Sequence, residues 1–284
     1  MNKSATPATL TLQNAPPDLG RYIAGFVHRD DAEAGEVVRV LPEVRASIQI
    51  MLADPYWLRP AELGGVWGQL PRVALWGPKY AWCYGYARRH IKAYAVGLTA
   101  AGLRAIITRP AFNVLDQVLP LDTFNSDLAK LLDPDDGQNF DDWRNSATEA
   151  LRALFASSPP IIDPVTPALA FLATAETNAV LKGADACGLS ERQFRRVFRD
   201  YYGVPPKRYQ RAVRVDRMIR QIHQAPWETD AFAEAPIPFS DQPHAIREFR
   251  AMVGITPHQY VRAKRPGDKT LRSVPVSGMP PPEN

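Results

Sequence analysis

'Gly188-Leu189-Ser190-Glu191-Arg192-Gln193-Phe194-Arg195-Arg196-Val197-Phe198-Arg199-Asp200-Tyr201-Tyr202-Gly203' is the stretch that decides the reading of this 284-residue chain. Ser190 with Gln193 three residues on is a capping box, and Gly203 supplies the left-handed residue that ends a helix. The spacing predicts a helix from about Glu191 to Tyr202. On it Phe194, Val197, Phe198 and Tyr201 recur at i, i+3, i+4 and i+7, and Arg192, Arg195, Arg196 and Arg199 repeat the same spacing on another face. An ordinary solvated helix interleaves Glu with Lys to limit self-repulsion. Four arginines in one row favour an anionic partner, nucleic acid, over a plain solvated surface.

A second copy lies downstream. Phe198, Arg199, Gly203, Val204, Pro206 and Tyr209 recur as Phe249, Arg250, Gly254, Ile255, Pro257 and Tyr260, all offset by 51, and Arg196 coincides with Arg247. Such self-similarity marks a duplicated supersecondary unit, here a helix-turn-helix. Between the copies, Lys207 to His223 carries apolar residues at Tyr209, Ala212, Val215, Ile219 and Ile222. At about 1.5 Å per residue it is a rod of roughly 25 Å, long enough to hold two reading heads in successive major-groove segments about 34 Å apart once each head's width is added. No aromatic residues interleave with the arginines as a stacking platform needs, so duplex DNA fits better than single strands.

Charge follows the same division. Residues 1 to 174 hold 16 Lys/Arg against 18 Asp/Glu, residues 175 to 265 hold 16 against 10, and the last nineteen hold two of each. Only the C-terminal part is built to face a polyanion. Length gives a prior of two domains, and 45% hydrophobic residues suffice for buried cores. Cys83 and Cys187 are the only cysteines, too few for a disulfide framework or a four-cysteine zinc site. Neither a run of about 18 apolar residues nor a signal-peptide core occurs, so the expectation is a cytoplasmic protein without a membrane partner.

The first half reads as β-rich. Residues 1 to 20 have the composition of a flexible arm. Glu36 to Pro42, Ser47 to Leu52 and His90 to Leu98 read as strands, and another candidate places Tyr80, Trp82, Tyr84 and Tyr86 on one face. Trp57, Trp67, Trp76 and that tyrosine row either fill a barrel interior, the commoner use, or line a ligand pocket. Helical segments follow at Ala100 to Ile107, Leu128 to Leu132 and Asp141 to Phe155. Leu132 to Gly137 reads as a solvated turn, because an EF-hand needs a carboxylate where Leu132 stands. 'Ser157-Ser158-Pro159-Pro160' marks the domain boundary, and Asp163-Pro164 opens a helix through about Ala175. The expected fold class is a two-domain α+β chain: a β-rich, barrel- or sandwich-like domain with helices at 21–160, an all-α domain with two helix-turn-helix units joined by a long helix at 162–265, and a disordered tail at 266–284.

Leu189 to Phe198, followed by 'Phe239-Ser240-Asp241-Gln242-Pro243-His244-Ala245-Ile246-Arg247-Glu248-Phe249-Arg250-Ala251-Met252-Val253-Gly254-Ile255-Thr256-Pro257-His258-Gln259-Tyr260', resembles the AraC/XylS transcription regulators over about residues 162 to 263. The resemblance implies seven helices in two helix-turn-helix units. It places the family's recognition positions on Arg192, Gln193, Arg195 and Arg196 in the first unit and on Gln242, His244 and Arg247 in the second. Two departures stand out. Pro236 and Pro238 interrupt the helix and turn that precede the second recognition helix, and Gly183 replaces a large apolar residue, weakening its helix by up to about 1 kcal/mol relative to alanine. More weakly, the first half resembles the β-rich sensor region of one group of these regulators, which implies ligand sensing or dimerisation without naming a ligand.

The function expected is a sequence-specific DNA-binding transcriptional regulator, with Arg196 and Arg247 reading bases and Arg199, Lys207, Arg208 and the Arg262 to Arg265 run holding phosphates. Candidate partners are double-stranded DNA, a small-molecule effector, a second copy of the chain and, for an activator, RNA polymerase. No catalytic residue, metal site or cofactor is expected: the first half has only His28 and His90, and HExxH, P-loop and nucleophile-elbow patterns do not occur. Cys83, among aromatics, reads as a small core residue. The alternatives are a degenerate relative acting through protein–protein contacts and, behind it, an enzyme with a fused DNA-binding domain.

Overall fold

A computed structural model describes residues 9–31, 35–62, 65–157, 160–174, 178–224, 242–263, 273–276 and 279–282. Two antiparallel sheets form the N-terminal domain. The first contains β1 (Thr9–Asn14), β2 (Ile23–Asp31), β4 (Ser47–Met51), β7 (Val73–Trp76), β9 (Ile91–Leu98) and β10 (Val118–Pro120), in the order β1-β2-β9-β4-β7-β10. The second contains β3 (Val38–Val40), β5 (Tyr56–Pro60), β6 (Gly68–Gln69), β8 (Cys83–Ala87) and β11 (Ser273–Pro275), in the order β11-β3-β8-β5-β6. Met51, Tyr56, Ala74, Trp76, Ala87, Ile91 and Ala93 fill the space between the sheets. Alternate residues of the first sheet, Ile48, Ile50, Leu75 and Val96, face the other way. They share a core with Leu103 of α1 (Ala100–Ile107), Leu128 of α2 (Ser126–Leu132) and Trp143 of α3 (Phe140–Ala156).

Between residues 168 and 263 the elements among the described residues are helices: α4 (Ala168–Leu172), α5 (Ala179–Ala186), α6 (Glu191–Tyr202), α7 (Pro206–Gln224), α8 (Gln242–Val253) and α9 (Pro257–Ala263). Pro236, Pro238 and the segment preceding α8 lie outside the described residues, as do Lys264 and Arg265. No helix among the described residues is long and apolar enough to cross a membrane.

Four expectations are corrected. Thr9–Asn14 is a strand paired with β2 along its whole length, where composition suggested part of a flexible arm. Residues 273–275, expected in a disordered tail, pair with β3. The helix expected from Asp163 to Ala175 is the five-residue α4; Asp163 Oδ1 does accept a hydrogen bond from Val165 N at 2.9 Å, but Pro167 lacks the donor a helix interior needs, and the helix starts only after it. In β8 the residues facing the other sheet are Cys83, Gly85 and Ala87, while Tyr84 and Tyr86 stand half-exposed on the outer face. Inward bulk comes instead from Tyr56, whose hydroxyl lies where a side chain at Gly85 would project, and from Trp76. Burial also pushes the Cys83 thiol up, consistent with a core residue.

Candidate nucleic-acid interface

α6 is fixed at both ends. Ser190 Oγ accepts from Gln193 N at 3.4 Å, Gln193 Oε1 accepts from Ser190 N at 3.2 Å, and Gly203, at φ 79°, donates its N–H to Arg199 O at 2.9 Å. Phe194 and Phe198 are fully buried with Val165, Ala168, Leu172 and Ala184, so the arginine face has only one way to point. Gly183 is part of this packing: a Cβ there would lie 3.0 Å from Ala168 Cβ, so the glycine lets α4 and α5 approach closely. Reading it from helix propensity alone missed that use.

The arginines on α6 are not equivalent. Arg192 and Arg196 are exposed and make no ion pair among the described residues. Arg195 is tied to Glu191, its Nε 2.9 Å from Glu191 Oε1. The Arg199 guanidinium lies 4.8 Å from the ring centroid of Phe112, a residue of the N-terminal domain. Gln193 has its Oε1 engaged in the cap, which leaves its amide NH2 as the free end.

In the second unit Arg247 is exposed on α8. His244 Nε2 is 3.7 Å from Glu248 Oε1, and the side chain of Gln242 lies outside the described residues. Glu248, which sequence reasoning passed over, is 6% exposed and holds α8 to α7: Arg211 Nε lies 2.6 Å from its Oε1, an ion pair although off the hydrogen-bonding direction. Gly254 repeats Gly203 with φ 80°, and its N–H donates to Arg250 O at 2.9 Å. A buried carboxylate beneath an arginine-bearing helix has no local signature beyond its place in the apolar stripe, since Glu248 falls four residues after His244 and one before Phe249.

The N-terminal domain touches both units at their equivalent glycine turns. A Cβ on Gly203 would come within 3.1 Å of Leu115 Cδ1, and one on Gly254 within 2.4 Å of the Trp82 indole. Arg208 reaches back to Asp116 at 3.8 Å and lies over the Tyr80 ring, while Tyr80 OH donates to Tyr202 O at 3.2 Å. A cavity of about 910 Å³ opens between the domains. Arg21, Arg45, Leu98 and Leu103 line it on one side and Asp163, Leu169, Tyr201 and Tyr209 on the other. Tyr202 OH donates to Asp163 Oδ2 at 2.5 Å, and burial pushes the phenols of Tyr202 and Tyr209 up, the latter to about 12. Among the described residues no group of His, Cys, Asp and Glu is arranged to hold a metal.

Comparison with known proteins gives a domain-level result. Residues 184–263 match the model of a helix-turn-helix domain family. No curated protein matches the chain by sequence. Among solved structures, ToxT from Vibrio cholerae O395 is similar at 8% identity, covering 84% of this chain and 97% of ToxT with a TM-score of 0.47. ToxT from Vibrio cholerae strain SCE256 with bound unsaturated fatty acid is similar at 12% identity, covering 92% and 97% with a TM-score of 0.43. A cupin domain from Bordetella pertussis Tohama I is similar at 13% identity, covering 34% of this chain and 99% of that domain with a TM-score of 0.25. At scores this low these likenesses carry no weight; the domain match does, and it coincides with the duplicated arginine-bearing unit. Residues 184–263 are thus a helix-turn-helix domain by family match as well as by geometry.

Proposed function

We propose that the protein is a sequence-specific transcription regulator that binds double-stranded DNA through α6 and α8, one in each of two adjacent major-groove segments. The observation that carries this reading is α6 itself: a helix fixed at both ends, buried on one face, with Arg192 and Arg196 exposed and free of ion pairs among the described residues. In this reading Arg196 and its counterpart Arg247 read guanine edges, and Lys207, Arg199 and Arg208 hold phosphates once the domains part. Arg195, braced by Glu191, and His244 are secondary contacts in this reading, with Gln193 and Gln242 supplying amides.

The interdomain cavity is the seat of effector control in this reading. Its apolar walls, with Arg21 and Arg45 at one side, suit an amphipathic small molecule bearing an acidic group. A second copy of the chain and, for an activator, RNA polymerase are the further partners it calls for. Residues 162–265 expressed alone test the core of the reading. The folded fragment is expected to bind duplexes selected by the full chain, with affinity falling steeply as salt rises, because each neutralised phosphate releases about 0.9 counterion. A folded fragment that binds none of those duplexes contradicts it.

A further inference from the structure

The chain continues past the second reading head and returns to the N-terminal domain. β11 runs antiparallel to β3, with Ser273 opposite Val40, Val274 opposite Arg39 and Pro275 opposite Val38, and Val276 N donates to Val37 O at 2.8 Å. It is the edge strand of its sheet. Val274, 4% exposed, shares one apolar cluster with Leu41 and Tyr80 of the N-terminal domain and with Phe249, Val253 and Tyr260 of the second unit. A three-residue strand has too few backbone bonds to hold itself, so the seating of Val274 between the two domains decides whether it stays. Beside it Trp82 lies against Gly254, with the Arg39 guanidinium 4.6 Å from the Trp82 ring centroid.

The docked arrangement also occupies two cations that DNA would use. Arg199 stacks on Phe112, and Arg208 lies between Asp116 and the Tyr80 ring. While the domains are together these two guanidiniums are held against protein groups, although both residues stay exposed.

We propose that the edge of β3 and the apolar seat beside it are a docking site for the chain's own C-terminal segment, residues 273–276, and that this segment is a latch holding the helix-turn-helix domain on the N-terminal domain in a state of low DNA affinity. The docking stands on the pairing and burial alone; its effect on affinity rests on the DNA-binding reading above. Pro275 has no N–H to offer a further strand, which blunts the sheet edge. Covering an edge, however, does not require an apolar side chain shared with the DNA-binding domain, and Val274 is such a side chain.

The test compares the full chain, a chain ending at Ala263, and the full-length Val274→Asp variant. Hydrogen exchange is followed over β3 and residues 249–260, and binding to a random-sequence duplex is measured across a salt series. Burying a valine shifts an equilibrium by about one to two orders of magnitude. Both variants are therefore expected to exchange at least about tenfold faster over residues 249–260 and to bind the duplex about tenfold to a hundredfold more tightly. Their log–log salt slope should steepen by about 1.8 as Arg199 and Arg208 join the phosphate contacts. A synthetic peptide of residues 270–279, added to the shortened chain, should reverse both changes, and the same peptide carrying Val274→Asp should not. Unchanged exchange in Val274→Asp, or a peptide without effect on the shortened chain, overturns the docking. Faster exchange with unchanged or weaker duplex binding overturns the low-affinity assignment. If the full chain and both variants all fail to bind duplex, the DNA-binding reading falls together with the latch's effect on affinity, while exchange still decides the docking.

Discussion

Replacing Gly254 by alanine separates backbone strain from interdomain contact. The residue sits at φ 80°, where an L side chain costs about 1–2 kcal/mol. Its new Cβ would also fall 2.4 Å from Cε2 of Trp82, whose neighbouring ring atoms are at 2.6 and 2.7 Å. A ring cannot yield by more than an ångström without moving its surroundings, and overpacking of this kind costs a further ~1–3 kcal/mol. Gly254→Ala is thus expected to destabilise the full chain by about 2–5 kcal/mol, against about 1–2 kcal/mol in a Trp82→Ala background where the backbone term alone remains. Gly203→Ala supplies the internal control, because the tightest neighbour of its Cβ would be the flexible end of Leu115 at 3.1 Å, with Ala111 O at an ordinary 3.5 Å. Urea unfolding followed by far-ultraviolet circular dichroism on the four chains of the Gly254/Trp82 cycle gives the coupling directly. Equal costs of Gly254→Ala in the two backgrounds would refute the contact between Trp82 and the second helix-turn-helix unit.

Other expectations follow from the same geometry. Arg196→Ala should cost about 1–3 kcal/mol at one base position and relax choice there, while Arg247→Ala should cost less and act more evenly across sites; a panel of single-base duplex variants decides, and a sharper position-specific effect at Arg247 would sink the ranking. Glu248→Gln leaves Arg211 without its buried partner and should destabilise by about 1–3 kcal/mol, discounted because Arg211 itself is 42% exposed; an unchanged urea midpoint would show that the pair does not anchor α8. Burial pushes the Tyr56 and Tyr209 phenols up to about 12 from an ordinary 10.0 and raises those of Tyr80 and Tyr202 as well. Their contribution is fully present below pH 10 and is lost as pH rises towards about 12, so alkaline unfolding should coincide with phenolate absorbance rather than precede it.

Local chemistry made α6 legible to the residue, because both ends carry side-chain signals: the Ser190–Gln193 box and the Gly203 turn. The linking helix was legible for a related reason, with apolar residues at helical spacing from Tyr209 to Ile222 and Pro206 at its start. What failed locally failed where a competing local rule applied. Pro167 delayed the start of the helix that Asp163 and Pro164 signal, and the parity of β8 turned Cys83, Gly85 and Ala87 inward because Tyr56 and Trp76 already fill the gap. Contacts between domains carried no signal at all. Trp82 against Gly254, Phe112 beneath Arg199 and Val274 beside Tyr260 join residues far apart in the chain, and no periodicity in one segment encodes its partner in another. Gly183 shows the same limit at short range, since propensity sees a weakened helix and packing sees room for Ala168.

In the proposed function two reading heads, α6 and α8, engage one duplex together. Selection of bound sites from a random duplex pool by the full chain tests it most directly. The expected outcome is a bipartite motif, two recognised segments whose centres lie about one helical turn apart, roughly 10 base pairs. Arg196→Ala is also expected to erase positions in one segment while leaving the other. A pool that yields no enriched sequence, or a single short segment indifferent to both Arg196 and Arg247, would contradict it.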